Sequence, residues 1–326
     1  MNVLADGRWA GDTGIGRLYK EIIDRKPTSV QMQTLNLDLK LGHLLSPWYL
    51  GKKINESNAE IFYSPSFMPP WQSKIPFVIT IHDLNHLYYY TLFHKIYLKH
   101  LIANLAGKSK KIITVSNYTK NEMVEVLKID PNKIEVIYNG IDSSFASNKE
   151  IYSLNRPYFL YVGNRRKYKN ILRMLQGFSK AKISKEYLFV LSGDIDDQLK
   201  KVIESLGLQN RVKFLGFIKE EQLPSIYKGA YALLFVSLME GFGLPVIESM
   251  ASGTPVITSN ITSMPEIAGA DALLVNPIEI DSIANAIEQL VNDKKLHHEL
   301  SKTGRKRAQQ FNWNITAKKT WDTIMY

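Results

Sequence analysis

Along the chain, short runs of β-branched and aromatic residues alternate with stretches whose apolar positions recur at helical spacing, and the runs are bounded by Gly, Pro, Asn or Asp. These runs predict strands at Asn2–Ala5, Ile61–Tyr63, Phe77–Ile81, Lys111–Val115, Glu135–Tyr138, Tyr158–Val162, Tyr187–Leu191, Val212–Leu215, Ala232–Val236, Pro255–Thr258 and Ala272–Val275. Helices are predicted between them, for example over Tyr118–Leu127, Ile171–Ala181 and Asp281–Asn292. Such alternation predicts an α/β chain of parallel sheets covered by helices on both faces. The rhythm breaks once. Asn139-Gly140 is a turn signal, the polar stretch SSFASNKE follows without periodicity, and a fresh strand opens at Tyr158. At about 100–200 residues per domain, the 326 residues divide there into domains over 1–150 and 151–311. The tail, 312–326, reads as a final helix bearing Trp313, Trp321 and Tyr326.

Composition narrows the function classes. Hydrophobic residues make up 45% and charged residues 22%, enough apolar material for two cores. There is no cysteine, which excludes disulfides, thiolate metal sites and cysteine nucleophiles and fits a reducing, cytoplasmic compartment. The N-terminal apolar run stops at Asp6, too soon for a signal peptide, and no uninterrupted apolar run is long enough to span a membrane. The net charge of +10 admits nucleic acid, an anionic membrane or phosphate-bearing ligands as partners, or plain solubility. No zinc-finger or RNA-recognition signature accompanies it, so nucleic acid is not expected. The basic residues thicken at 94–111 and at 165–169 (RRKYK).

The most informative segment runs from Ser237 to Glu248. A buried strand leads into a loop holding Glu240, Gly241 and Gly243, and Pro245 stands where a helix should start. Glycines let the backbone approach a ligand, and their N–H groups together with a helix N-terminus suit a diphosphate. At the carboxyl end of a strand, Glu240 and Glu248 would flank a ligand and accept hydrogen bonds from sugar hydroxyls. Alternatively, Glu248 complements a helix N-terminus and Glu240 is a solvated loop charge. Cations at 165–169 would neutralise a diphosphate leaving group, Arg as a bidentate partner and Lys as a point charge, or form a solvated charge run. Gly14-Ile-Gly16 is not a dinucleotide fingerprint, because Tyr19 stands where the third glycine belongs and no acid is placed for a ribose. Ser116 and Asn117 read as helix caps. No His/Cys cluster has metal-ligand spacing, and no metal site is expected.

Taken together, Glu240-x7-Glu248 enclosing Gly-Phe-Gly-Leu-Pro, then Met250-Ala-Ser-Gly-Thr-Pro-Val256 and Ser263-Met-Pro-Glu-Ile-Ala-Gly269, resemble the family 4 retaining glycosyltransferases, the bacterial group 1 enzymes and their mannosyltransferases in particular. The same order includes Asp12-Thr-Gly-Ile-Gly-Arg17, Ile81-His-Asp-Leu84, Thr114-Val-Ser-Asn117, Val136-Ile-Tyr-Asn-Gly-Ile-Asp142 and Tyr161-Val-Gly163 followed by Lys169-Asn170. The resemblance implies the GT-B fold: two Rossmann-like domains facing across a cleft, an acceptor domain first and a nucleotide-sugar domain second, with the C-terminal helix crossing back to the first and closure over the donor. It implies that Glu248 holds the ribose, that Glu240 sits against the donor sugar, and that the backbone of Gly241, Phe242, Gly243 and Leu244 meets sugar and diphosphate. One Arg and one Lys are expected on the diphosphate. Arg165 and Lys169 fit, with Arg166 as the rival arginine. The loop with Gly14 and Gly16 would approach the phosphates, and His82 would point towards the donor sugar. Backbone around Phe217 would read the base.

The implied reaction moves a hexose, mannose from GDP-mannose in first place, onto a saccharide or lipid-linked saccharide in cell-surface polysaccharide assembly. It proceeds with retention and front-face attack, without metal or cofactor beyond the nucleotide-sugar co-substrate. UDP- and dTDP-sugars remain open as donors. So do a sugar-nucleotide epimerase and a non-catalytic nucleotide-sugar-binding protein as other classes. The aromatic and basic segment Tyr88–Lys111 has two readings: a peripheral contact with the inner membrane, or a covered helix packing Leu92, Ile96, Leu98 and Leu101 into the core.

Overall fold

Runs of four or five residues in which every side chain is buried, as at Phe77–Ile81 and Ala232–Phe235, require helices on both faces of their sheet. The computed structural model, which describes residues 1–11, 13–37, 39 and 43–326, satisfies this twice. The chain forms two units, 1–140 with 312–326 and 141–311. In the first, β1 (Asn2–Asp6), β2 (Gln31–Leu35), β3 (Ile61–Ser64), β4 (Phe77–Ile81), β5 (Lys111–Thr114) and β6 (Ile134–Val136) are ordered β2-β1-β3-β4-β5-β6. In the second, β7 (Tyr158–Tyr161), β8 (Leu188–Leu191), β9 (Val212–Phe214), β10 (Ala232–Phe235), β11 (Val256–Ser259) and β12 (Leu273–Val275) are ordered β12-β11-β10-β7-β8-β9. Every strand pair is parallel. The second order is that of a doubly wound dinucleotide-binding sheet, and it reverses direction between β7 and β10. The first sheet reverses between β1 and β3.

Three features differ from the sequence reading. β2 has no strand in that reading: its sequence QMQTL lies at the sheet edge with Gln31, Gln33 and Thr34 exposed, so it lacks an alternating apolar face. Residues 141–150 pack with the second unit, because Phe145 in the Ser143–Ser147 helix is buried with its ring 5.7 Å from that of Tyr227. Within Tyr88–Lys111, Leu98 is buried as a covered helix requires, but Leu92 and Ile96 are exposed.

The final helix, Trp313–Met325, completes the first unit. Trp313, Ala317, Trp321 and Ile324 join Val3, Ile61, Tyr63 and Ile113 in one apolar cluster, and the Trp321 indole donates to the Ile22 carbonyl at 2.9 Å. Among the described residues no helix is long and apolar enough to cross a membrane.

Candidate active site

The loops that leave β7 and β10 start side by side, since Phe159 and Leu160 pair with Ala232 and Leu233. They are laced together beyond the strands. The Leu238 N–H donates to the Tyr168 carbonyl at 2.7 Å. Asn170 takes a left-handed backbone (φ 62°) and its amide donates to the carbonyls of Val236 (2.9 Å) and Pro277 (2.7 Å). This lacing brings Lys169 Nζ to 2.7 Å from Glu240 Oε1, with both side chains largely buried. The ammonium also lies 5.4 Å from the Tyr168 ring centre and 5.2 Å from that of Phe235. A cation and an anion drawn from two strands thus meet at the point where the sheet reverses, the place where open α/β sheets take their ligands.

The loop then turns into the Leu244–Ser252 helix through Gly243, whose φ of 102° belongs to glycine. Pro245 lies in the first turn, so the remaining N–H groups at this end point out of the helix. Glu248, one turn further, is 5% exposed, and its Oε2 accepts from the Tyr227 hydroxyl at 2.8 Å. Glu240 is 8% exposed. Its carbonyl accepts from Ser263 Oγ at 2.9 Å, and the same hydroxyl reaches the Phe242 carbonyl at 3.3 Å. Tyr227 and Ser263 therefore position the site, yet sequence reasoning gives them no role. Ser263 falls inside a quoted motif; Tyr227 falls in none.

Arg165 takes a different place from Lys169. Its guanidinium donates to the Ser192 carbonyl at 2.9 Å and to the Asp194 carbonyl, lies 3.7 Å from Asp196 Oδ2, and covers the Phe214 ring at 5.0 Å. Arg165 thus stands over the loops after β8 and β9, while Arg166 is exposed. Those two loops join through the Gly193–Gly216 bridge, and Phe217, 84% exposed, follows directly. Phe242 turns inward: its ring meets that of Phe311 at 5.7 Å, leaving its backbone for a ligand. Tyr161 beneath the site is pushed well above its ordinary pKa, chiefly by burial and then by Glu240, so it remains a neutral hydroxyl donor, to the Asn164 carbonyl at 2.6 Å.

His82, Gly14 and Gly16 belong to the first unit. His82 follows β4, half-buried, with Nε2 2.8 Å from the Pro65 carbonyl. A carbonyl only accepts, so Nε2 carries the proton. Burial lowers the pKa of the ring, against a smaller opposing pull from that hydrogen bond and from Asp83. The imidazole is therefore neutral near pH 7, with Nδ1 as an acceptor. Gly14 and Gly16 open the Gly14–Ile23 helix, capped by Thr13 Oγ1 receiving the Gly16 N–H at 3.1 Å. A Cβ on Gly16 would lie 1.9 Å from the Gly11 carbonyl oxygen, so packing of the loop on itself demands this glycine. Asp12 lies outside the described residues. Among the described residues no group of three or more His, Asp or Glu side chains could hold a metal ion.

The site can hold an anion against Lys169 and the helix N-terminus and hydroxyls against two buried carboxylates. Residues 143–307, about half the chain, match the family model described as glycosyl transferases group 1, and residues 15–145 that of glycosyltransferase family 4. The chain is 27% identical over 287 residues to O-antigen chain mannosyltransferase B of Escherichia coli, covering 83% of this chain and 75% of that protein. It is 36% identical over 217 residues to O-antigen chain mannosyltransferase RfbU of Salmonella typhimurium, covering 65% and 60%. Anabaena HepE, solved in complex with UDP and glucose, shares the fold at a TM-score of 0.79 and 18% identity, over 100% of this chain and 99% of that one. Matching motifs, sheet order and relatives agree: the chain belongs to glycosyltransferase family 4 and has the GT-B fold.

Proposed function

We propose that this glycosyltransferase moves mannose from GDP-mannose to a saccharide or lipid-linked saccharide, in the cytoplasm, during cell-surface polysaccharide assembly. The observation that carries the reading is the Lys169–Glu240 pair at the sheet reversal, with Glu248 one helical turn beyond an anion-binding loop. The named mannosyltransferases among its relatives favour the sugar. A UDP-sugar is the second reading, favoured by the UDP held in Anabaena HepE.

In this mechanism Glu248 holds the ribose and Glu240 the donor sugar, while the amides of Gly241, Phe242, Gly243 and Leu244 take the diphosphate. The bond from the anomeric carbon to the phosphate oxygen breaks first. Lys169, Arg165 and those amides take up the negative charge of the departing diphosphate, which is transition-state electrostatics. For Arg165 this requires exchanging the Ser192 and Asp194 carbonyls for phosphate oxygens. Glu240 is held by Lys169, so it supports the sugar rather than attacking it. The acceptor hydroxyl attacks from the face the diphosphate leaves, and its proton passes to the departing phosphate oxygen, which retains the anomeric configuration. His82, neutral with Nδ1 as acceptor, binds a sugar hydroxyl. No metal is needed, because the cations are side chains.

The test is thermal unfolding in EDTA with GDP, UDP, dTDP, ADP, CMP and their sugar conjugates. A ligand at 100 times its Kd stabilises by about 2.7 kcal/mol. A shift with GDP and GDP-mannose that is lost in Glu248→Ala supports the reading; a shift with UDP compounds alone moves the donor to the second reading. No shift with any of them overturns it. The anomeric coupling of the product, read by NMR, decides retention.

A further inference from the structure

The stretch Leu223–Gly229 forms a short helix with Pro224 in its first turn, and it buries Ile226 and Tyr227. Tyr227 carries a polar group into that core. Its hydroxyl donates to Glu248 Oε2 at 2.8 Å, and both side chains are buried. A buried carboxylate is costly unless it is hydrogen-bonded, so this proton stabilises Glu248. It also sets a direction. The last torsion of a glutamate is broad, and an ionised carboxylate offers about four acceptor sites. By taking one of them from a fixed point, the Tyr227 hydroxyl fixes the plane in which the others lie. A charge-assisted bond of this kind is among the stronger ones.

The hydroxyl is a fixed point because the ring is seated from behind. Phe145 meets it edge-on, with ring centres 5.7 Å apart and planes at 65°. Thr254 Oγ1 donates to the Tyr227 carbonyl at 2.6 Å. The neighbours of Tyr227 are tied to the segment that leads into β7. The Tyr152 N–H donates to the Ser225 carbonyl at 3.0 Å, the Tyr158 hydroxyl to the Ile226 carbonyl at 2.6 Å, and the Lys228 ammonium to the Asn148 carbonyl. A Cβ on Gly229 would stand 2.0 Å from the Tyr152 carbonyl oxygen, so the two backbones touch. Phe145, Asn148, Tyr152 and Tyr158 thus form the wall against which Tyr227 stands, although none of them comes from the loops that hold Lys169 and Glu240.

We propose that Tyr227, backed by Phe145, is a positioning residue that makes the donor site select a ribose over a deoxyribose. A vicinal diol takes two hydrogen bonds from one carboxylate only at a set orientation of its plane, and Tyr227 supplies that orientation. The proposal rests on the ribose role given to Glu248 under the proposed function. It adds the residues that tune that contact without touching the ligand.

Isothermal titration calorimetry of the full chain with GDP and 2′,3′-dideoxy-GDP, and with UDP and 2′,3′-dideoxy-UDP, measures the preference for ribose. The wild type should favour the ribose form of its nucleotide by roughly a hundredfold, and Glu248→Ala should erase that preference. Tyr227→Phe keeps the ring and removes one proton donor. It should cut the preference about tenfold by weakening the ribose form, with the dideoxy form bound as in the wild type. Phe145→Leu keeps apolar filling but loses the ring edge, and should cut the preference about threefold. A role in folding alone would instead lower the melting temperature and weaken both forms by one factor. An unchanged preference in Tyr227→Phe overturns the proposal, as does equal weakening of both forms. Should that variant not fold, an unchanged preference in Phe145→Leu overturns it. A preference that survives in Glu248→Ala overturns the ribose role of Glu248 as well, which tells failure of the donor reading from failure of this inference alone.

Discussion

At the reversal of the first sheet, Asp6 ends β1 fully buried and receives Arg8 Nε at 2.8 Å and Nη2 at 2.7 Å, while Ser64 at the end of β3 donates at 3.2 Å. At the reversal of the second, Lys169 and Glu240 meet at 2.7 Å. Both are largely buried ion pairs at the carboxyl edge of a parallel sheet. They differ in span. Arg8 sits two residues from Asp6 on one loop, so the pair closes that loop on itself. Lys169 and Glu240 are 71 residues apart and tie two loops across the reversal. A local pair neutralises an edge; a cross-loop pair shapes a site whose charges a ligand can recruit.

Glu248→Ala should break this contrast most severely. Hydrogen bonds to a charged group contribute about 1.5–3 kcal/mol each, so losing the two ribose contacts that the proposed function gives to Glu248 should weaken nucleotide binding by roughly a hundredfold or more, read by calorimetric titration. Next come Lys169→Ala and Arg8→Ala. Each strands a buried carboxylate, which costs about 3–5 kcal/mol, measurable by urea unfolding. Turnover should collapse in Lys169→Ala beyond its loss of stability, whereas folded Arg8→Ala should bind nucleotide as the wild type does. Equal effects on binding would erase the distinction between the two edges.

A smaller effect is expected at Gly243→Ala. At φ 102°, with a Cβ 2.5 Å from the buried Met264 methyl, an alanine should cost about 1–3 kcal/mol of stability. Smallest is the pH response of His82. Its folded pKa lies below the ordinary value of about 6.5, so between those values the unfolded chain binds the extra proton. The stabilisation is complete above that ordinary value and is lost as pH falls below it. Urea unfolding at about pH 7.5 and pH 5 should show a steeper loss for the wild type than for His82→Gln.

The sequence makes the strand–helix alternation and the second switch point legible, because buried parallel strands need continuous apolar runs. β2 is hidden because an exposed edge strand needs none. Glu240, Glu248 and Lys169 are readable because a charge set beside glycines at a strand end has no apolar face to complete and so points to a ligand. Arg165 is readable as a cation but not in its partners, which are backbone carbonyls. Tyr227 and Ser263 are hidden because their roles depend on what folding brings beside them: Tyr227 lies 21 residues from Glu248 and Ser263 lies 23 from Glu240.

Gly140 and Trp313 lie against each other so closely that a Cβ on Gly140 would stand 2.3 Å from the Trp313 nitrogen. The first unit is therefore a discontinuous stretch of chain with the second inserted in it. On the ribosome, where synthesis runs at about 5–20 residues per second, residues 141–311 can finish folding while the earlier-made unit still waits for Trp321 to cover Ile22 and Tyr63. Without the Trp313–Met325 helix the second unit keeps all of its own chain, while the first lacks Trp313, Ala317, Trp321 and Ile324 from its apolar cluster.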